Sequence, residues 1–359
     1  MPCVMEEMFV DVGIGVVGCG YWGPNLVRNL AQTRGAKLLA CCDLETSRLD
    51  WVRQGYPAVK VTADFQELLG DKQIDAIAIA TPISTHYALV KQALKAGKHV
   101  LVAKPLAQSV AECQELQALA VRNNCVLLVD HTFLYTGAVR KIKELMDAGD
   151  LGDIYYYDSV RINLGLFQHD TNVIWDLAPH DIAIMIHLLG MVPERVLAVG
   201  ASHVNEQVEN IAYVTMMFRE RLLAHLHVNW LAPAKVRRTI IGGSKRMVVY
   251  DDMDMSEKVK IYDSGAKLSN DPAHIYRTMV EYRTGDMYAP KIDKTEALAE
   301  ECRHFVACIR DGADPISGAV LATQVVGIIE AADRSLKMGG SMEHLHRPFV
   351  PEIAAAAAS

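Results

Sequence analysis

The chain has no CxxC pair, no run of basic residues and no apolar stretch long enough to cross a membrane. Its 8 cysteines are scattered through 359 residues, with Cys41 and Cys42 adjacent. That spacing builds neither a disulfide framework nor a zinc site, and it suits a reducing cytosol. A cytoplasmic protein without a metal centre is therefore expected. With a formal charge of −7 and no local basic patch, the chain offers nothing to a nucleic-acid backbone. Met1 to Val10 carries Glu6 and Glu7 and lacks the basic start and apolar core of a secretory signal. Neither a nucleic-acid nor a membrane partner is expected. What remains, 51% hydrophobic and 22% charged, is ordinary globular composition at a length that allows two domains.

Against that background one stretch stands out: Gly18-Cys19-Gly20-Tyr21-Trp22-Gly23. The apolar segment Val12 to Val17 before it reads as a buried strand. After it, Pro24 to Leu30 has helical periodicity, with Pro24 in the first turn, where its missing N–H costs nothing. A second apolar strand, Lys37 to Cys42, ends at Asp43. Strand, glycines, helix, strand and acid in that order mark a dinucleotide-binding βαβ unit. Gly18 permits the tight turn, Gly20 lets the backbone approach a pyrophosphate, and Gly23 lets the helix pack on the strand. Asp43 would accept hydrogen bonds from the adenosine ribose and repel a 2′-phosphate, which favours NAD. Arg48 lies close enough in sequence to leave NADP possible.

The alternation continues. Thr62 to Leu69 reads as a capped helix, Ile74 to Ala80 as a buried strand, and Ser84 to Ala96 as a helix closed by Gly97. His99 to Val102, Ala111 to Asn123 and Val126 to Val129 give strand, helix and strand. The expected fold class is α/β: a doubly wound parallel sheet over 1–130. From Gly137 to Ala148 there is one more helix, and then the pattern changes. Ile154 to Asn163, Arg195 to His203, Ile211 to Phe218, Leu222 to Trp230, Val236 to Ile241 and Met247 to Tyr250 read as strands. In the fourth of these Leu226, Val228 and Trp230 alternate with His225, His227 and Asn229. An α+β domain over 131–350 with an open, mostly antiparallel sheet is expected, followed by a tail at 351–359 holding the alanines Ala354 to Ala358. Thr295 to Arg310 and Ala319 to Met338 are amphipathic helices that return to cover apolar surface.

Three clusters can carry chemistry. Ala80-Thr81-Pro82 with His86 lies at the carboxyl end of a parallel strand, where ligands sit, so Thr81, Pro82 and His86 should flank the cofactor. A plain Pro turn at a helix start is the alternative. Lys104, at the end of the next strand, is held extended by Pro105, which aims its ammonium off the sheet edge. There it can bind or polarise a substrate oxygen, or remain a solvated loop lysine. Trp175-Asp176-Leu177-Ala178-Pro179-His180-Asp181 leads into an apolar helix expected to begin near Asp176. Asp176 and His180, four apart, then share a face, and a carboxylate beside an imidazole suits a general acid/base. The competing reading makes Asp176 an N-cap and His180 a core histidine; spacing alone does not choose. His225 and His227 share a strand face as a metal pair or, lacking a third ligand, as polar lining. His344 and His346 form a weaker pair, and Tyr155 to Tyr157 reads as strand packing.

Taken together, GCGYWG, Ala80-Thr81-Pro82 with His86, Lys104-Pro105, Asp176…His180 and the stretch from Glu296 through His304 and Phe305 to Gly318 resemble the Gfo/Idh/MocA family. That family is named for glucose-fructose oxidoreductase, inositol dehydrogenase and MocA. The resemblance spans Val12 to about Gly340. It implies a Rossmann domain joined to an α+β domain whose open sheet face makes homodimer or homotetramer contacts. It also implies that Gly18, Cys19, Gly20, Tyr21, Trp22, Gly23, Asp43, Thr81, Pro82, His86 and Lys104 bind NAD or NADP. Lys104, Asp176 and His180 match the catalytic lysine, aspartate and histidine of the family. The implied reaction is hydride transfer between a ring carbinol of a sugar or cyclitol and the nicotinamide. Lys104 would polarise the oxygen, His180 would move its proton and Asp176 would orient the pair. Relatives usually have Glu where this chain has Ala103. The 175–181 motif is similar to members acting on nucleotide-linked sugars; a free cyclitol or monosaccharide is the alternative substrate. A glycoside-processing enzyme with tightly held NAD and a catalytically silent sugar or dinucleotide sensor are other readings of the same fold.

Overall fold

The computed structural model describes residues 11–165, 171–204, 208–263, 265–268 and 280–345. The segment Met1 to Val10, His346 and the alanines Ala354 to Ala358 lie outside the described residues. Two compact units divide the rest, the first of 11–135 with 295–326 and the second of 136–294 with 327–345.

In the first unit β1 (Val12–Val17), α1 (Gly23–Gln32), β2 (Ala36–Cys42), α2 (Asp50–Gly55), β3 (Lys60–Thr62) and α3 (Phe65–Gly70) open the chain. β4 (Ala76–Ile79), α4 (Ile83–Lys95), β5 (His99–Ala103), α5 (Val110–Arg122) and β6 (Leu127–Asp130) complete it. All six strands run parallel in the order β3-β2-β1-β4-β5-β6. Such a sheet is covered on both faces, so its strands need apolar side chains on both sides. Every residue of β1 and β4 is accordingly buried. Two boundaries differ from the expectation. Thr62 belongs to β3, where it pairs with Cys42, and the helix starts only at Phe65, capped by Asp64, whose Oδ1 accepts from Gln66 N at 2.9 Å. β4 starts at Ala76, and the Ile74 carbonyl before it accepts from Lys98 Nζ at 2.6 Å.

The C-terminal α8 (Ala297–Asp311) belongs to this unit. It buries Leu298, Cys302 and Phe305 in the same core as Leu26, Val27 and Leu30 of α1. Glu296, just before it, receives a two-bond fork from Arg28, at 2.9 and 2.6 Å.

In the second unit α6 (Gly137–Asp147), β7 (Ile154–Leu164) and α7 (Val173–Leu189) precede β8 (Arg195–Ala201), β9 (Ile211–Met217), β10 (Leu223–Asn229) and β11 (Leu231–Gly243). β12 (Met247–Asp251), β13 (Val259–Tyr262), a hairpin of β14 (Gly265–Leu268) with β15 (Val280–Arg283), and β16 (Met287–Tyr288) follow. Helix α9 (Ala319–Lys337), whose residues 319–326 belong to the first unit, and β17 (Glu343–His344) come last. Nine strands pair in the order β16-β13-β12-β11-β7-β10-β9-β8-β17. Only β7 with β10 is parallel within this sheet, so the mostly antiparallel expectation holds among the described residues. The alternation in β10 also holds. Leu226 and Val228 are buried, as is Trp230 just after the strand, while His225 and His227 face the other way. There Tyr213 stacks on His227 with ring centroids 4.4 Å apart and on His225 at 5.9 Å. His344 lies in β17, opposite Arg195. No helix among the described residues is long and apolar enough to cross a membrane.

Candidate active site

The turn after β1 is shaped by what its glycines would strike with a side chain. Gly18 has φ +90°, and a Cβ there would lie 2.5 Å from the Ala80 carbonyl oxygen. Gly23 opens α1 against Gly18, whose oxygen a Cβ would meet at 2.1 Å. Gly20 differs: its missing Cβ points into open space, with only Arg48 Nη1 as near as 3.5 Å. The first two glycines serve the chain's own packing, and the third leaves room for something else to reach the backbone.

That room is a cavity of about 710 Å³ within the first unit. Gly18, Gly20, Tyr21 and Trp22 form one side, Asp43, Leu44 and Arg48 another, and Phe65, Thr81 and Pro82 line the rest. Cys19, between the first two glycines, is buried and orients the loop: its amide donates to Asp43 Oδ2 at 2.7 Å. Asp43 Oδ1 accepts from the Glu45 amide at 2.9 Å, so the carboxylate is fixed at the cavity wall. Arg48 Nη1 stands 4.0 Å from Asp43 Oδ2 with more than half its side chain exposed.

Thr81 and Pro82 reach the cavity, whereas His86 sits behind them, 1% exposed. Its Nδ1 lies 2.8 Å from the Pro105 carbonyl oxygen and its Nε2 2.8 Å from that of Thr81. The imidazole thus ties the loop after β4 to the loop after β5. Burial pushes its pKa down, against the pull of the two carbonyls. Sequence placed His86 at the cofactor; the structure makes it the strut that holds Thr81 and the Lys104-Pro105 step in register.

Lys104 follows β5 directly, and the peptide bond to Pro105 is cis. Its positive charge acts on two buried histidines of the same unit. It adds to the burial that lowers His86 and to the burial that holds His131, at the end of β6, down at about 3. Lys104 thus stands in the chain at the carboxyl end of β5, the edge at which a parallel sheet receives ligands.

Asp176 and His180 both lie in α7, one turn apart. The helix starts three residues earlier than expected, at Val173. Asn172 is its cap, with Oδ1 accepting from Ile174 N at 3.2 Å and from Trp175 N at 3.4 Å. Asp176 is thus no N-cap, and Pro179 sits inside the helix. Asp176 Oδ2 accepts from the indole of buried Trp230 at 3.0 Å. The residue after His180, Asp181, was passed over in the sequence. Its carboxylate accepts from Ser159 Oγ at 2.6 Å and from Arg161 Nε, all of them buried. Burial pulls Arg161 down most strongly, yet the Asp181 charge and hydrogen bond, with Tyr250 and Asp252, together hold the guanidinium above its ordinary range. An acid inside an apolar helix was the available signal, since such a charge is rarely buried unpaired.

Against known proteins, the family described as an oxidoreductase family with an NAD-binding Rossmann fold, GFO/IDH/MocA, matches residues 12–131. Its C-terminal domain matches residues 139–249. The uncharacterized oxidoreductase YdgJ of Escherichia coli is 30% identical over 258 residues, 69% of this chain and 73% of that protein. The scyllo-inositol 2-dehydrogenase (NADP(+)) IolW of Bacillus subtilis is 26% identical over 345 residues, 91% of this chain and 92% of its own. Among solved structures, the UDP-N-acetylglucosamine 3-dehydrogenase GnnA of Acidithiobacillus ferrooxidans superposes with a TM-score of 0.79 at 24% identity. It covers 92% of this chain and 99% of its own.

Proposed function

The chain belongs to the Gfo/Idh/MocA family of NAD-binding oxidoreductases, and we propose that it transfers a hydride between a ring CH–OH of a sugar and a nicotinamide dinucleotide. The observation that carries the reading is the turn in which Gly20 alone faces open space, beside a fixed carboxylate and a cavity. The residues present fit a dinucleotide. Backbone at Gly20 can approach a pyrophosphate, Asp43 can accept from ribose hydroxyls, and Leu44 and Phe65 offer apolar surface to a base. Asp43 favours NAD, and Arg48 nearby supplies a charge that tolerates the 2′-phosphate of NADP.

When bound, the nicotinamide supplies a two-electron hydride acceptor or donor. This chain handles the proton. In the oxidising direction His180 takes the hydroxyl proton, and in the reducing direction it returns that proton to the oxygen. Lys104 donates a hydrogen bond to a substrate oxygen and stabilises the charge that builds on it. Asp176, held by Trp230, stands one turn from the imidazole on the same helix and orients it. Presence of all three residues argues against a silent sensor on the same fold.

For the substrate, the 175–181 motif supports a nucleotide-linked sugar. A free cyclitol is the second reading, favoured by the likeness to IolW over most of the chain. The exposed Val199, Tyr213 and Leu223, on the sheet face opposite the buried Leu226, support a homodimer or homotetramer built on that face. The test is NADH or NADPH formation on addition of nucleotide sugars, inositols and free hexoses to the purified protein with NAD or NADP. Turnover of one class identifies the substrate, and no NADH or NADPH formed from any of them would overturn the reading.

A further inference from the structure

Trp22 belongs to the glycine-rich turn and lines its cavity, but its indole is held from behind. The Nε1–H donates to Oδ2 of Asp130, the last residue of β6, which is 4% exposed. The other oxygen of Asp130 accepts from the Thr132 amide at 3.2 Å and from the Thr132 hydroxyl. Against this carboxylate lies Glu301 of α8, with no exposed surface at all. Burial, the Asp130 charge and a hydrogen bond to Asp130 all push the Glu301 carboxyl well above the usual carboxylate range. Two ionised carboxylates facing each other in the core would repel strongly. Both carboxyl oxygens of Glu301 are buried and meet no donor in hydrogen-bond geometry among the described residues, so the arrangement is satisfied when Glu301 keeps its proton and donates it to Asp130, which then accepts from the indole, the threonine and the acid together. Glu301 thus reaches the glycine-rich turn through Asp130, from a helix more than 270 residues further along the chain.

We propose that Asp130 and Glu301 are positioning residues for the cofactor, a hydrogen-bonded acid pair that fixes the Trp22 indole and so holds the glycine-rich turn open to the dinucleotide. The proposal rests on the reading of that turn as the dinucleotide seat. Neither acid lines the cavity; each acts through the residue before it in the chain of contacts. An interior apolar pair of similar volume would serve packing as well, so the use of two acids points to directed hydrogen bonding at the indole.

The test is NADH titration of the intact protein, followed by quenching of tryptophan emission, for Asp130→Ala, Glu301→Ala, Glu301→Gln and Trp22→Phe. Glu301→Gln keeps a neutral donor beside Asp130 and should bind NADH within about twofold of wild type. Asp130→Ala, Glu301→Ala and Trp22→Phe should each weaken NADH about tenfold, with the melting temperature recorded alongside. In the double variant Asp130→Ala/Trp22→Phe the losses should not add, because both remove one contact. Should Asp130→Ala not fold, Glu301→Gln against Glu301→Ala, with Trp22→Phe, makes the same distinction. Wild-type affinity in folded Glu301→Ala and Trp22→Phe overturns the proposal, as does equal loss in Glu301→Gln and Glu301→Ala. Wild-type protein that binds neither NADH nor NADPH overturns the reading of the turn itself.

Discussion

Gly20→Ala and Gly23→Ala add the same methyl group three residues apart, and the fold predicts opposite consequences. At Gly20 the new Cβ would meet nothing nearer than Arg48 Nη1 at 3.5 Å, an ordinary contact with a flexible side chain. Folding should be unharmed, and the stiffer unfolded chain adds about 0.4–1 kcal/mol of stability where the backbone angles suit alanine. The methyl does occupy the space through which a pyrophosphate would reach the backbone. NADH affinity should fall at least about tenfold, a loss of roughly 1.4 kcal/mol. At Gly23 the Cβ would stand 2.1 Å from the Gly18 oxygen, a backbone atom that can move only by shifting β1 or α1. Overpacking of this kind costs about 1–3 kcal/mol, and each kcal/mol lowers Tm by about 2–4 °C in domains of this size. Thermal unfolding followed by NADH titration of each variant separates the two effects. A Gly20→Ala protein with wild-type NADH affinity would refute the role given to that position. So would a Gly20→Ala protein less stable than Gly23→Ala.

Asp43→Ala removes the carboxylate that disfavours a 2′-phosphate and leaves Arg48 in place, so the ratio of kcat/KM for NADP over NAD should rise at least about tenfold; an unchanged ratio would remove Asp43 from the ribose site. Arg161→Met leaves Asp181 buried without its cation and should cost about 3–5 kcal/mol in denaturant unfolding, whereas Arg161→Met/Asp181→Leu should recover most of it; a double variant no more stable than the single one would contradict this. His131 titrates at about 3 in the fold, below the ~6.5 of an unfolded histidine, so the unfolded chain takes up the proton first. Its contribution is complete above about pH 6.5 and is lost as pH falls toward 3, at about 1.4 kcal/mol per pH unit. His131→Phe should flatten the pH dependence of unfolding by that slope between pH 6 and 4, and an unchanged slope would contradict it.

The first unit was legible because its rules are local and repeated. Buried parallel strands must be apolar on both faces, so β1, β4 and β5 announced themselves, and the glycines of the turn stood where the chain's own backbone comes close. What sequence misplaced was decided by partners distant along the chain. Thr62 is a strand residue because Cys42 lies beside it, and His86 faces two loop carbonyls that no local pattern reveals. In the second unit the long strands were legible from alternation. β13, β16 and β17 were not, since two to four residues cannot display a period. The helix at Asp176 was started too late because Pro179 was read as a first-turn proline, while Asn172 already supplied the cap. The Arg161–Asp181 pair and the Asp130–Glu301 pair share that character. For Asp181 an acid in an apolar helix was the local trace, whereas Glu301, beside Glu300 in an amphipathic helix, left none.

The central proposal is that His180 moves the proton of a sugar hydroxyl while Lys104 polarises its oxygen. Kinetics and NADH binding of Lys104→Ala and His180→Ala on the substrate found by screening test it most directly. Each variant should bind NADH with an affinity within about threefold of wild type while kcat falls by at least about a hundredfold, the range of general acid–base catalysis. Wild-type kcat in either variant would contradict the account.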